Sequence, residues 1–162
     1  MEDERSSHPI LLGEALPAAR SMVRYLSCSG HVIRISPAGA VRRMQDMVEQ
    51  IAIVASSPHP AKLVEHFCTN PDVRSILSRS PHRAAVILKD RSRIDLRVVS
   101  DALYAPVLRY HTGSTGHNVA LGEYAAGKGL ILRESGIIDP ITGRKVAFDE
   151  EHEIFEAFSL PY

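Results

Sequence analysis

Arg93-Ile-Asp-Leu-Arg-Val-Val99 alternates with a period of two. Ile94, Leu96 and Val98 fall on one side, and Asp95, Arg97 and Val99 on the other. Such alternation marks a half-buried β-strand. Just upstream, Arg83 to Lys89 reads as its partner, joined by a tight turn near Asp90-Arg91. Gln50-Ile-Ala-Ile-Val-Ala55 is the best candidate for a buried strand, and His31 to Ser36 reads as another. These segments predict a sheet of about four strands.

Helical patterns surround them. Leu11 to Ser27 spaces Leu12, Leu16, Ala19, Val23 and Leu26 for one helix face, with Pro17 suggesting a start near that residue. Pro37 to Gly39 reads as a turn before a short helix, Ala40 to Met44. Ala61 to Cys68 reads as a helix, and Asp72 to Ser78 as another after Asn70-Pro71. Asp101 to Tyr110, Asn118 to Ala126 and Asp149 to Phe158 are further helices. Gly127 and Gly129 end the second of these, and acid in the first turn favours the third. Leu130 to Arg133 and Lys145 to Ala147 read as short strands around a turn at Pro140 to Gly143. The fold class expected is α+β: a small mixed sheet with helices over 11–100, then a helix-rich end with a small hairpin over 101–162. Residues 1–10 read as a flexible tail.

The chain has 162 residues, with 19 basic and 19 acidic side chains. That length suits one domain or two small ones. The composition is globular, with 44% hydrophobic residues. No run of 18 apolar residues appears, and the polar start, Met1 to Ser7, is unlike a secretory signal. Cys28 and Cys68 stand apart, with neither a CxxC nor a zinc spacing. Both points lead to the expectation of a cytoplasmic protein without membrane partners. The zero net charge is a cancellation. Residues 1–110 hold 15 Lys/Arg against 11 Asp/Glu, and 111–162 hold 4 against 8. The basic part is mostly arginine, which suits bidentate contacts to phosphate or carboxylate.

Some motifs fail on inspection. Gly122-Glu-Tyr-Ala-Ala-Gly-Lys128 approaches a phosphate-binding GxxxxGK[ST], but Gly129 stands where a hydroxyl is needed, and the segment follows a helix. Its glycines suit a helix C-cap instead. No HExxH, GxSxG or identifiable cysteine nucleophile is present. His111-Thr-Gly-Ser-Thr-Gly-His-Asn118 reads as a small polar loop able to approach a phosphate or sugar. Asp95 suits either an ion pair, with Arg97 or Arg42, or metal ligation; one carboxylate is too few for two-metal chemistry.

Several pieces taken in order resemble the family X DNA polymerases, particularly the bacterial type. They are Ala38-Gly-Ala-Val-Arg-Arg43, Gln50-Ile-Ala-Ile-Val54, Ile94-Asp-Leu-Arg-Val-Val99, Tyr110-His-Thr-Gly-Ser114, His117-Asn118, Lys128-Gly-Leu-Ile-Leu132 and Leu160-Pro-Tyr162. The resemblance implies a nucleotidyltransferase-type palm followed by a thumb subdomain. The lyase and helix-hairpin-helix segments that precede a family palm, and the phosphoesterase domain that follows in bacterial members, have no counterpart in these residues.

Carried over residue by residue, the resemblance implies a damaged centre. Gly39, Arg42 and Arg43 match the palm's triphosphate-binding stretch, but Ala40 replaces its serine. The two aspartates of the family's catalytic strand fall on Gln50 and Ala52. The third, Asp95, remains and is the sole catalytic and metal-ligand candidate. Tyr110, Thr112, Gly113 and Asn118 match residues that position the incoming nucleotide, while His111 replaces an aromatic and Gly122 a basic residue. No cofactor is expected, and Mg²⁺ only if a rearranged site is active.

The function expected is therefore a polymerase-like palm–thumb module without catalysis. It would retain a nucleotide-, DNA- or partner-binding role, possible partners including a protein that supplies polymerase domains. Arg83, Arg91, Arg93 and Arg97 are the DNA-binding candidates. One alternative is an active gap-filling polymerase or nucleotidyltransferase using Asp46, Glu49 and Asp95; a one-residue strand offset would turn Glu49 from the Gln50 face. Another is a structural, protein-interaction module, consistent with the acidic stretch 149–156.

Overall fold

The computed structural model describes residues 8–146 and 148–162. Residues 1–7 of the expected tail, and Ala147 at the end of the expected Lys145–Ala147 strand, lie outside the described residues. The chain divides into two units, 1–101 and 102–162, both built from α and β elements.

In the first unit, β1 (Ile10–Leu11) leads into helix α1 (Leu12–Ser27). Next come β2 (Arg34–Ala38), the short helix α2 (Gly39–Arg42), β3 (Met47–Val48) and β4 (Ile51–Ser56). Helix α3 (Pro60–Cys68) leads to β5 (Val73–Ser80), β6 (Arg83–Leu88) and β7 (Arg93–Val99). Five strands form one sheet in the order β2-β4-β7-β6-β5. Only β4 and β7 pair in parallel within it. The small ribbon β1–β3 stands apart, with Ile10 opposite Val48.

One face of the sheet is the core. Ile51, Ile53 and Ala55 of β4 join Ile94, Leu96 and Val98 of β7 and Ala84, Val86 and Leu88 of β6. Helix α1 covers them with Ala15, Ala19, Met22 and Leu26, spaced 4, 3 and 4 apart. Helix α3 adds Leu63, Val64 and Phe67. Pro at its first position suits a helix start, where an N–H would have no partner.

The structure corrects several expectations. Asp72–Ser78 is not helical; Val73–Ser80 is an eight-residue edge strand. The Asn70 Oδ1 accepts the Asp72 N–H at 2.8 Å, a turn that launches the strand. The sheet accordingly has five strands rather than four. Helix α1 begins at Leu12, with exposed Pro17 inside it; the lost bond to Gly13 is tolerated on a face open to water. Pro37 and Ala38 are not in a turn but in β2, an edge strand, where a missing N–H is tolerated.

Past β7 the first unit ends in a charged knot. Arg34 Nε donates to Asp101 Oδ1 at 2.8 Å, and an Arg34 Nη donates to the Asp101 carbonyl at 2.7 Å. The fully buried Ser56 hydroxyl donates to the same Oδ1 at 2.7 Å and accepts the Arg34 N–H at 3.0 Å. Arg34 first, then Ser56, holds the Asp101 carboxyl below its ordinary value. A lowered folded-state pKa adds stability above the unfolded value, about 3.9. That contribution is lost as pH falls through the lower folded value. Asp101→Asn should therefore flatten the acid limb of stability below about pH 4, read as urea midpoints across pH. An unchanged limb would refute this role.

The second unit starts with a 3₁₀ turn, Asp101–Leu103 at the junction, and α4 (Tyr104–Thr112). It continues through α5 (Thr115–Gly127), a three-stranded sheet of β8 (Ile131–Arg133), β9 (Gly136–Ile138) and β10 (Lys145–Val146), and α6 (Glu151–Ala157). Its own core is Leu121, Ala125, Ile137, Phe148, Ile154 and Phe158. The end of α5 settles the near-P-loop. Leu130 N–H bonds the Ala125 carbonyl at 3.0 Å, and Gly129 N–H bonds that of Ala126 at 2.9 Å. Gly129 sits at φ +72°. This double bond is a Schellman cap, which needs a left-handed residue there. Lys128 donates to the Phe158 carbonyl at 2.9 Å, not to an open loop.

Candidate functional site

The site is built on the sheet face turned away from the core. In-register pairing sets one row across four strands: Ala38 of β2, Ala52 of β4, Asp95 of β7 and Ala85 of β6. Residues paired directly across strands project to one face. Asp95 is thus a single carboxylate in a row of alanines. Neighbouring strands lie about 4.8 Å apart, so an acidic residue at 52 would stand beside Asp95. The methyl group there offers no oxygen.

Asp95 has a partner, and it is neither Arg97 nor Arg42. Arg93 Nε donates to Oδ1 and Arg93 Nη2 to Oδ2, both at 3.0 Å. Such a two-point fork is the strongest geometry an arginine and a carboxylate form. Residues 93 and 95 share a face of the strand because its period is two. The same period puts Arg97 on that face at equal spacing, so spacing alone does not choose between the two arginines.

The other acidic candidates lie elsewhere in the chain. Strand β4 begins at Ile51, so Glu49 and Gln50 occupy a bend before it. Both are exposed. The alternation expected to orient Glu49 therefore does not apply at that position. Asp46 is exposed in the turn ahead of β3, where its carbonyl accepts the Leu12 N–H at 2.9 Å. Among the described residues no three His, Cys, Asp or Glu side chains gather to hold a metal. A two-ion centre needs several oxygens converging on the ions. The described residues do not fit one.

Gly39 follows Ala38 directly and opens α2 at φ +59°. That backbone region is easy only for glycine. Arg42 ends this helix and Arg43 caps it, so both arginines leave from a turn next to the alanine row. Arg83 and Arg97 stand directly opposite each other on β6 and β7. Like charges directly opposite each other repel. Arg91 sits at φ +69° in the β6–β7 turn, at the other end of those strands. Arg93 and Arg97 are separated by about 13 Å along β7. The four arginines proposed to touch DNA are thus spread along one hairpin rather than clustered.

In the second unit, His111–Asn118 is mostly helical rather than a loop. Helix α4 runs to Thr112 and α5 starts at Thr115, leaving only Gly113 and Ser114 between. Gly113 has φ +65°, and its peptide bond to Ser114 is cis. The Ser114 hydroxyl caps α5 by accepting the His117 N–H at 3.3 Å. The Thr112 hydroxyl donates to the Leu108 carbonyl at 2.7 Å. Tyr110 is exposed, edge-on to the His111 ring, and His111 Nε2 meets Glu134 at 3.3 Å. Asn118 is pinned on both sides. Its Nδ2 donates to the Tyr110 carbonyl at 2.8 Å, and its Oδ1 accepts from Arg109 Nη1 at 3.0 Å.

Arg109 is a residue the sequence reading missed. It is only 3% exposed, and its Nε has no hydrogen-bond partner among the described residues. Burial pushes its guanidinium down from the ordinary value, against the pull of the Glu151 carboxylate. Its link to Asn118 orients the asparagine amide. An arginine on the buried side of a helix flanked by Val107 and Leu108 was the available clue.

Comparison with known proteins bears on both units. Residues 107–162 match the family model of the DNA polymerase beta thumb. Over 152 residues, 93% of this chain, the sequence is 30% identical to the DNA polymerase/3'-5' exonuclease PolX of Bacillus subtilis (strain 168). The chain covers 27% of that protein's length.

Proposed function

We propose that this chain, which carries a family X polymerase thumb region, is a palm–thumb module that binds nucleic acid or a deoxynucleotide without adding nucleotides. Its setting would be DNA repair. One observation carries this reading: both oxygens of the only carboxylate in the strand row are held by Arg93, beside an alanine at 52. Phosphoryl transfer of this kind depends on metal ions that neutralise charge and align the attacking and leaving oxygens. An arginine fork on Asp95 stabilises the fold and leaves no pair of carboxylates to bridge two ions.

Binding then falls to the arginines and the thumb residues. Arg42 and Arg43 flank the turn at Gly39 and suit a triphosphate or a strand phosphate. Arg83, Arg91 and Arg97 extend along the hairpin and suit the DNA backbone. In this reading Tyr110, Thr112, Gly113 and Asn118 are the residues that meet the nucleotide's sugar and base. No helix of the described residues is long and apolar enough to cross a membrane.

Primer extension on gapped duplex DNA, with Mg²⁺ or Mn²⁺, tests the reading. No product above background is expected. Template-directed extension that disappears in Asp95→Ala would overturn it. In the same samples, DNA affinity should fall steeply with salt, and Arg83→Ala should lower the slope of that dependence by about one.

A further inference from the structure

Arg109 is unfavourable where it stands. It is 3% exposed on α4, and its Nε has no hydrogen-bond partner among the described residues. Burying a guanidinium with an unmet donor opposes folding. An apolar side chain of similar volume in such a position is often no less stable. Among the described residues, the one hydrogen bond its guanidinium makes runs from Nη1 to Asn118 Oδ1, at 3.0 Å. A buried cation whose only hydrogen bond holds a half-buried asparagine is placed to control that asparagine.

The geometry at Asn118 shows what is controlled. The two ends of an asparagine amide differ in chemistry: Oδ1 accepts and Nδ2 donates. Oδ1 faces Arg109, and one Nδ2 hydrogen goes to the Tyr110 carbonyl at 2.8 Å. Turning the amide over would set its NH2 group against a guanidinium donor and its oxygen against a carbonyl. The bond to Tyr110 is exposed, whereas the bond to Arg109 is partly buried. Water competes more for the first than for the second, so Arg109 is the firmer anchor. The second Nδ2 hydrogen meets no partner among the described residues. Asn118 therefore offers an incoming group a donor.

We propose that Arg109 is a positioning residue for nucleotide binding: by holding Asn118 Oδ1, it keeps the asparagine N–H available to an acceptor on the base or sugar of a bound deoxynucleotide. The inference rests on the nucleotide reading given above. It adds a residue that does not touch the ligand, and a polarity that the ligand must match. Without this anchor the amide samples both orientations, and one of them sets an oxygen against the ligand's acceptor.

Calorimetry of 2′-deoxyadenosine triphosphate binding to the full chain, arranged as a double-mutant cycle, tests it. Saturable binding is expected in the parent. Arg109→Met keeps most of the bulk and removes the donor, and it should weaken binding about fivefold, the scale of one hydrogen bond. Asn118→Ala should weaken it at least as much, and adding Arg109→Met to Asn118→Ala should change nothing further. Arg109→Lys keeps one donor for Oδ1 and should restore most of the parent affinity. Arg109→Met should melt at or above the parent, while the Asn118 side-chain amide signals in its NMR spectra lose their protection from exchange. Additive losses from the two single variants would overturn the inference and leave the nucleotide reading standing. Parent-like affinity in Arg109→Met would do the same. If Arg109→Met melts below the parent, Asn118→Asp decides in its place. Its carboxylate keeps Arg109 paired but has no N–H, so it should fold like the parent and bind as weakly as Asn118→Ala; parent-like affinity there would overturn the inference. No binding by the parent would overturn the nucleotide reading itself, and this inference with it.

Discussion

Phe67→Ala is expected to lower the unfolding free energy by about 3–5 kcal/mol. Phe67 is fully buried, on the inner face of α3, among the residues that cover β4, β6 and β7. Leu63 and Val64 sit on the same face one turn earlier. Cutting the ring to a methyl group removes apolar contact and leaves a hole that its rigid neighbours refill only in part. The strand face beneath cannot collapse into the space, because Leu96 and Val86 are held by pairing on both sides. Domains of this size are stable by about 5–15 kcal/mol, so a loss of this order approaches half of the total. Urea unfolding should show a lower midpoint at unchanged slope. A midpoint shift equivalent to less than about 1 kcal/mol would show that the ring is not a core element.

The same core explains which parts of the fold were legible. Strands β4 and β7 read correctly because their apolar residues are confined to one face or buried on both, and the period of two survives in the text. Helix α3 read correctly because Leu63, Val64, Phe67 and Cys68 keep helical spacing. Strand β5 failed for a definite reason. Register shifts interrupt it between Val73 and Ser75 and between Ile76 and Ser78. A bulge inserts an extra residue and destroys alternation. Val73, Ile76 and Leu77 consequently fall at spacings of three and four and imitate a helix. As an edge strand it also carries exposed Ile76 and Leu77, so neither face announces itself as buried.

The candidate site was legible in position more than in chemistry. The text placed Asp95 on the outward strand face, and pairing puts Ala52 next to it. It did not reveal that Arg93 would occupy the carboxylate, since Arg97 stands on the same face at the same distance in sequence. Strand direction and side-chain rotamer decide between two such neighbours, and sequence spacing does not carry them. Gln50 was assigned to the strand by one residue too many, and boundaries of elements are the least determined part of any pattern. Arg109 was passed over because a charged residue on a helix is ordinarily solvated.

Phe158→Ala should act on the second unit with still greater relative effect. Phe158 is fully buried at the end of α6 and packs with Leu121, Ala125, Ile137, Phe148 and Ile154. Its ring meets Tyr124 edge-on at 6.0 Å. Its carbonyl accepts from Lys128 Nζ at 2.9 Å and from the Tyr124 hydroxyl at 3.3 Å. One residue thus fixes the last helix to the end of α5 through both its side chain and its backbone. Residues 102–162 number 61, and a unit of that size is worth only about 3–9 kcal/mol. Removing a buried ring costs about 3–5 kcal/mol, enough to leave much of the unit unfolded at 37 °C. Because α5 carries Asn118 and follows the Gly113–Ser114 turn, any nucleotide contact made by these residues should fail with it. Amide exchange should show residues 115–158 losing protection in Phe158→Ala while β4 and β7 keep theirs. Retained protection across α5 and α6 would mean that Phe158 does not anchor the unit.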